Sequence, residues 1–459
     1  LNRFFYTAFI RLLSPGLLGW MALRARRAGG DWGVWSGSRF GRYAGVSVLK
    51  KPIWVHAVSL GETRAAQPLV QALLDQGESV LLTHMTVTGR AEGALTFATA
   101  IAQGRLKQEW LPYDFPGCTQ RFMAHYRPLI GILIEREVWP NAIASARRAH
   151  IPMMLVSARF SDHALRNSLR AGRVMREAYG SLDAVYAQTL SDAQRLEQAG
   201  ASAVRVSGNF KFDVSLPADK VARGKAFNAA LKRKVVAIAS TREGEDQLFV
   251  DAIARKVGRA RGHGKDLAER VMFYLIPRHP QRFEEAAALL QKAQLPFMRR
   301  SQLVDIGQAG AAALRAGGQP LVLLGDSLGE MPSYYASSHI AIVAGSFEPM
   351  GGQNLIEACA VGVPVLVGPH TRNFEQAVVD AIDEGAAIRV QTVDAALCKA
   401  LDLLDQPAEL SKMGQAGAHW VQKHTGAIAR VVAGLNEIKA RKAVAPTRGA
   451  ATKTYPPLT

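Results

Sequence analysis

The sequence predicts an α/β protein of two domains, each a parallel sheet covered by helices. Three observations lead there. The chain has 459 residues, too many for one ordinary hydrophobic core. Apolar residues make up 48% and charged residues 20%, enough for burial and unlike a disordered chain. Short apolar runs alternate with helical stretches, are interrupted near Asp213–Ala218, where Pro217 falls, and then start again.

The elements follow in order. Residues 2–23, NRFFYTAFIRLLSPGLLGWMAL, come closest to a membrane-spanning run, but Arg3, Arg11 and Pro15 break them. No small-residue cleavage site follows, which disfavours a secretory signal. Phe4, Phe5, Phe9, Leu12, Leu13 and Trp20 stand beside arginines, with Arg24, Arg26 and Arg27 next. That mixture predicts a helix lying in a membrane interface. The plainer reading is a helix packed on the protein's own surface. From Pro52 the runs read as strands at 53–58, 79–84, 108–112, 130–134, 153–156 and 184–187. The pattern resumes at 235–239, 271–276, 321–324, 340–344 and 363–367. Runs as apolar as IGILI and VVAIA suit parallel strands buried on both faces. Residues 410–443 are helical in pattern and are placed to cross back to the first domain. The segments are thus 1–51, 52–213, 214–425, a helix at 426–443, and a basic disordered tail at 444–459. Two such halves facing a cleft form the GT-B arrangement, with ligand outside the carboxyl ends of the strands.

Lys and Arg number 56 against 38 Asp and Glu, a net charge of +18. An anionic partner follows. The excess gathers at the two ends of the chain, which favours an anionic membrane surface over a nucleic-acid groove. Cys118, Cys359 and Cys398 are odd in number and far apart, so neither a disulfide framework nor a zinc site is expected.

The richest stretch is 341–369. Strand Ile340–Ala344 runs into a loop with Gly345, Gly351 and Gly352. A helix is expected to open near Asn354 with Glu357 in its first turn, before strand Val363–Val367. Such a loop offers backbone N–H groups and a helix dipole to a phosphate. Asn354 and Glu357 also have capping-box spacing, and glycines also make plain turns.

Glycosyl transfer needs a base for the acceptor hydroxyl, positive charge or N–H groups for the leaving phosphate, and nucleoside recognition. Each has a candidate at a strand end. Glu62 follows the first strand, and Pro68 predicts that the next helix starts late or kinks. First-turn dipole compensation is Glu62's plainer role, and a helix N-terminus would lower its pKa, the wrong direction for a base unless burial offsets it. Glu135 and Glu137 flank Arg136 after IGILI, either for acceptor hydroxyls or as a local ion pair. Lys211 stands before the interruption. Ser240 and Thr241 follow the second domain's first strand, as anion binders or N-caps. Pro277 and Arg278 end another strand, and Arg suits a phosphate. Leu328, Gly329 and Glu330 follow the next, where turn chemistry also explains them. No DxD triplet, GxxxxGK[ST], HExxH or G-x-G-x-x-G occurs. No metal and no cofactor is expected.

In this order HAVSLGE, EREVWPN, SARFSD, GNFKFD, ASTREGE, PRHPQRF, GDSLGE and GGQNLIEA with its trailing GPHTRNF resemble the 3-deoxy-D-manno-octulosonic acid (Kdo) transferases of lipopolysaccharide biosynthesis. The match covers roughly Arg39 to Ala427. The resemblance implies a GT-B fold, with 52–213 binding the acceptor and 214–425 the nucleotide sugar. It implies a CMP-Kdo donor, a lipid A precursor (lipid IVA) as acceptor, and no nucleic acid. It also implies a place on the cytoplasmic face of the bacterial inner membrane, monotopic or peripheral through residues 1–51. By motif, Glu62 matches the family's proton acceptor, and Glu137 and Lys211 its transition-state stabilisers. Ser240 and Thr241, Pro277 and Arg278, Leu328–Glu330, and Asn354, Leu355, Ile356 and Glu357 fall on the CMP side. The chain departs from the pattern at Gln353, Leu355 and Arg136. Two other readings stand beside it. One is a GT-B enzyme using a UDP-sugar, as transferase or epimerase. The other is a non-catalytic glycolipid-binding protein on the same scaffold.

Overall fold

The structure, a computed structural model, describes residues 2–28, 32–45, 47, 49–214, 216–259, 264–316 and 320–444. Apart from Val444, the expected tail lies outside them. The chain divides into two compact units, one of residues 1–213 with 425–459 and one of residues 214–424.

The first unit holds strands β1 (Ile53–His56), β2 (Val80–His84), β3 (Leu106–Trp110), β4 (Ile130–Ile134), β5 (Met153–Ala158), β6 (Ala184–Ala187) and β7 (Val204–Val206). They form one parallel sheet in the order β3-β2-β1-β4-β5-β6-β7. Alternation sends successive residues to opposite faces. Ile130, Ile132 and Ile134 enter one core while Leu133 enters the other. With an apolar core on each face, every residue of β4 is buried, which is why IGILI carries no polar position.

The second unit repeats the plan with β8 (Lys234–Thr241), β9 (Val271–Pro277), β10 (Phe297–Arg299), β11 (Val322–Leu324), β12 (Ile340–Val343), β13 (Val365–Val367) and β14 (Ala387–Arg389). Their order is β10-β11-β9-β8-β12-β13-β14, again all parallel. In each sheet the winding reverses between two adjacent strands, β1 and β4 in the first and β8 and β12 in the second. A doubly wound sheet leaves its crevice outside the carboxyl ends at that reversal.

Sequence and structure differ at particular elements. β7, β10 and β14 have no counterpart among the expected strands. Each has three residues, and each lies at a sheet edge. An edge strand is covered on fewer sides, so it needs no apolar run. The strand expected at 108–112 lies two residues earlier, at Leu106–Trp110. The helix expected to start late at Pro68 runs unbroken over Leu60–Asp75. Its start is fixed by a capping box between Ser59 and Glu62, and Ala65, Ala66, Leu69, Val70, Leu73 and Leu74 are buried along its length. That packing carries it past the missing N–H.

The N-terminal helix spans Arg3–Ala28 and also contains a proline, Pro15. Pro15 cannot donate to the Arg11 carbonyl four residues back, and the Ser14 hydroxyl takes that acceptor at 2.8 Å. Tyr6 and Thr7 bond to the body of the unit, while Phe4 (74% exposed), Leu12 (79%), Phe5, Phe9, Leu13, Leu17, Trp20 and Leu23 face solvent. No helix among the described residues is long and apolar enough to cross a membrane. The last helix, Ala427–Val444, buries Ala427, Val431, Leu435 and Ile438 in the core of the first sheet. Asp213 holds its start, accepting from the backbone N–H of Gly426 at 2.5 Å and of Ile428 at 2.6 Å.

Candidate active site

In the first unit the reversal point lies between β1 and β4, and the residues after both strands are acidic. After β1 the chain turns into the helix at Leu60. The Glu62 carboxylate reaches back to accept from the backbone N–H of Val58 at 2.5 Å and of Ser59 at 3.2 Å. Both bonds fall on Oε2. These bonds and the helix terminus favour the ionised form. Burial opposes them, and so do the neighbouring carboxylates of Glu137 and Glu135. The balance pushes Glu62 up to about 7. Burial thus more than offsets the lowering by the helix terminus.

After β4, Glu135 has φ +59°, a conformation uncommon for a residue with a side chain. Its backbone N–H stays bonded to the Val156 carbonyl at 3.0 Å. Glu137 is half-buried, which raises its carboxyl, while the Trp139 indole N–H donates to it at 3.1 Å. Ser157 in β5 and Ser240 in β8 also have positive φ, +48° and +60°. Lys211 sits half-buried in the short turn Phe210–Phe212, its backbone N–H held by Asn209 Oδ1 at 3.0 Å. That turn packs against the helix that Glu62 opens. His56 of HAVSLGE is wholly buried with Nδ1 2.9 Å from Thr83 Oγ1, and burial pushes it down to about 3, so it is a neutral core histidine.

The second unit treats its carboxylates differently. Glu245 is fully buried. It accepts from the backbone N–H of Arg242 (2.8 Å), Gly345 (2.6 Å) and Phe347 (2.9 Å). It therefore ties the loop after β8 to the glycine loop after β12. Gly345, Gly351 and Gly352 all have positive φ, between +68° and +93°. At Gly351 a Cβ would stand 2.6 Å from the Asn373 side chain, so only glycine fits. The Gly352 N–H is bonded to the Gly345 carbonyl at 2.6 Å. The expected offer of loop N–H groups to a phosphate is therefore not met by Gly345, Phe347 or Gly352, whose donors are already used.

Beside this loop the helix Ile356–Ala360 begins two residues later than Asn354. Asn354 Oδ1 accepts from the Ile356 N–H at 3.0 Å, and its amide donates to Glu357 at 3.1 Å. Leu355 and Ile356 have wholly buried side chains, so they face a ligand only through backbone. Glu357 is half-buried. Burial raises its carboxyl, against Asn354 and the positive charge of Arg278. Arg278 follows the buried Pro277 at the end of β9, and its N–H donates to the Thr241 carbonyl at 3.0 Å. Arg278, Asn354 and Glu357 thus gather at one place, next to Ser240. The Thr241 hydroxyl is buried and donates to Asp246, which in turn pairs with Arg282 at 2.5 Å. Thr241 therefore shapes the site from behind. Glu330 is held by Arg300 at 2.7 Å and by the Ser327 hydroxyl, Gly329 accepts from Lys220 at 2.8 Å, and Leu328 is exposed. That loop is built around Arg300 rather than around Arg278.

Glu245 and Asp246 escape a sequence reading. Acids in a first helical turn signal only dipole compensation, and their partners lie far along the chain. Among the described residues no group of three or more His, Cys, Asp or Glu is placed to hold a metal ion.

Comparison with known proteins was made on this geometry. A family model described as 3-deoxy-D-manno-octulosonic-acid transferase (kdotransferase) matches residues 36–214, and one described as glycosyl transferases group 1 matches 308–420. The 3-deoxy-D-manno-octulosonic acid transferase of Bordetella pertussis is 52% identical over 440 residues, 95% of this chain and 99% of that one. The protein of the same name from Haemophilus influenzae is 28% identical over 443 residues, 94% and 97% of the two chains. Among solved structures, Acinetobacter baumannii MurG aligns with a TM-score of 0.51 at 13% identity, over 84% of this chain and all of that one. That last likeness is one of fold alone.

Proposed function

The chain belongs to the Kdo transferase family, and from that premise we propose that it transfers Kdo from CMP-Kdo to a lipid A precursor, lipid IVA. It is a glycosyltransferase with two Rossmann-like domains of GT-B type. Glu62 removes the proton of an acceptor hydroxyl. The freed oxygen bonds to the anomeric carbon of Kdo as the bond to the phosphate oxygen breaks. CMP leaves with that electron pair, and the anomeric configuration inverts. The Glu137 carboxylate offsets positive charge that grows on the sugar, and the Lys211 ammonium offsets negative charge on the leaving phosphate. Arg278 meets the donor phosphate, Glu357 and Asn354 the nucleoside hydroxyls, and Ser240 the phosphate rim. No step requires a metal.

The observation that carries this reading is the state of Glu62. A carboxyl pushed up to about 7 is matched to proton transfer near neutral pH. The test is incubation of the full chain with a CMP-Kdo generating system and lipid IVA, with product mass as readout. Product carrying Kdo, formed at the same rate with chelator present, is expected. Product from UDP-sugars alone would overturn the donor, and binding without turnover would overturn the enzyme.

The protein is proposed to lie on the cytoplasmic face of the inner membrane, held by the helix Arg3–Ala28. Its exposed Phe4, Phe9 and Leu12 support that reading. Replacing these three by Ser should release the protein from anionic vesicles. Unchanged partitioning would move the contact to another surface.

A further inference from the structure

The N-terminal helix has two faces, and only the outer one is explained by a membrane. On the inner face, the Tyr6 hydroxyl donates to Asp114 Oδ2 at 2.9 Å. Asp114 is half-buried in the loop that follows β3. The same Oδ2 accepts from the backbone N–H of Asn141 at 3.0 Å, and Oδ1 accepts from that of Ala142 at 2.8 Å. Those two N–H groups open the helix Pro140–Arg148. Trp139, at its N-cap position, supplies no side-chain cap. The first N–H groups of a helix need outside acceptors. Asp114, from another element, is the cap this helix lacks. The Asn141 amide completes the tie, donating to the Asp114 carbonyl at 2.7 Å and to Thr7 Oγ1 at 3.1 Å.

The capped helix is the continuation of the Glu135–Trp139 loop. Trp139 bonds to Glu137, and Glu137 helps to raise Glu62. A continuous path of hydrogen bonds and chain therefore runs from the N-terminal helix to the carboxylate cluster. Its first link shares one oxygen, Asp114 Oδ2, with the cap itself.

We infer that Tyr6 and Asp114 are positioning residues for the reaction: through the borrowed cap of the helix Pro140–Arg148, they couple the N-terminal helix to the loop that carries Glu137. The inference rests on the reading of Glu62 and Glu137 as the reacting pair. It makes the N-terminal helix part of the catalytic geometry as well as an anchor.

The test uses the full chain with Tyr6→Phe, which keeps the ring and its packing and removes one hydroxyl. Turnover with lipid IVA in anionic vesicles is expected to fall by up to about tenfold, the worth of one hydrogen bond. KM for CMP-Kdo and the vesicle-bound fraction should stay as in the unsubstituted chain. Hydrogen exchange at the Asn141 and Ala142 amides should quicken. Asp114→Asn, which keeps the shape but replaces one accepting oxygen by an NH2 donor, should show both effects more strongly. Unchanged turnover in Tyr6→Phe would overturn the inference. So would a fall in turnover with unchanged exchange at 141–142, or one matched by loss from the vesicles. If the unsubstituted chain transfers no Kdo, the proposed activity fails. The exchange measurement then still decides whether Tyr6 supports the cap.

Discussion

At the carboxyl end of the first sheet, Glu62, Glu135 and Glu137 stand together, and the last two raise the first. At the carboxyl end of the second sheet, four acids near the site have partners. Glu245 accepts from three backbone N–H groups, Asp246 pairs with Arg282, Glu330 pairs with Arg300, and Glu357 lies under the charge of Arg278. The two sheets share a topology, so the difference lies in the loops. Burial and gathered like charges make a carboxyl that holds its proton until near neutral pH, as a base working there requires. Acids matched one by one make a rigid frame that can present an arginine to a phosphate.

Three substitutions probe that contrast, in order of effect. Asp246→Ala should be the most damaging to the fold, because it leaves the buried Arg282 only the more distant and exposed Glu285, at 3.5 Å. Breaking a buried pair from one side costs about 3–5 kcal/mol. Chemical denaturation should show that loss, and a change within the scatter of surface substitutions would mean that the pair is not part of the frame. Arg278→Ala should leave stability nearly unchanged and weaken CMP binding by about 1.5–3 kcal/mol, the range for a hydrogen bond to a charged group. Calorimetry with CMP reads it, and an unaltered affinity would mean that the exposed Arg278 does not hold the donor. Glu137→Gln should act on the first sheet in a subtler way. With one like charge gone, Glu62 ionises at lower pH, so the acid limb of kcat/KM should move down in pH by up to about one unit. A limb that stays in place would break the electrostatic coupling.

How far the sequence foretold this depends on how local each feature is. IGILI and VVAIA announce central strands because burial on both faces removes every polar position. β7, β10 and β14 do not announce themselves because an edge strand needs no such run. For Glu62 the sequence showed only part of what sets its proton affinity. The helix start that lowers it is adjacent in sequence, whereas Glu135 and Glu137, which raise it, come from another strand. The glycine loop shows the same limit. Its turns were legible from Gly345, Gly351 and Gly352. That Glu245, a hundred residues earlier, had already taken two of the loop's N–H groups was not. Ser240 and Thr241 looked alike in sequence, yet one hydroxyl is turned inward to Asp246.

The central claim is that Glu62 is a base tuned by its neighbours, and the pH–rate profile of Kdo transfer tests it most directly. In the unsubstituted chain kcat/KM should fall on the acid side with an apparent pKa near 7, as Glu62 takes up its proton. Glu62→Gln should lower turnover by about 10²–10⁴-fold and abolish that limb. Loss of fold would not explain the result. A carboxyl raised from 4.5 to about 7 contributes stability that is full below pH 4.5 and lost as the pH rises through 7. The glutamine variant should therefore be at least as stable above that pH. A folded Glu62→Gln protein with near-normal turnover, or with the same acid limb, would contradict the account.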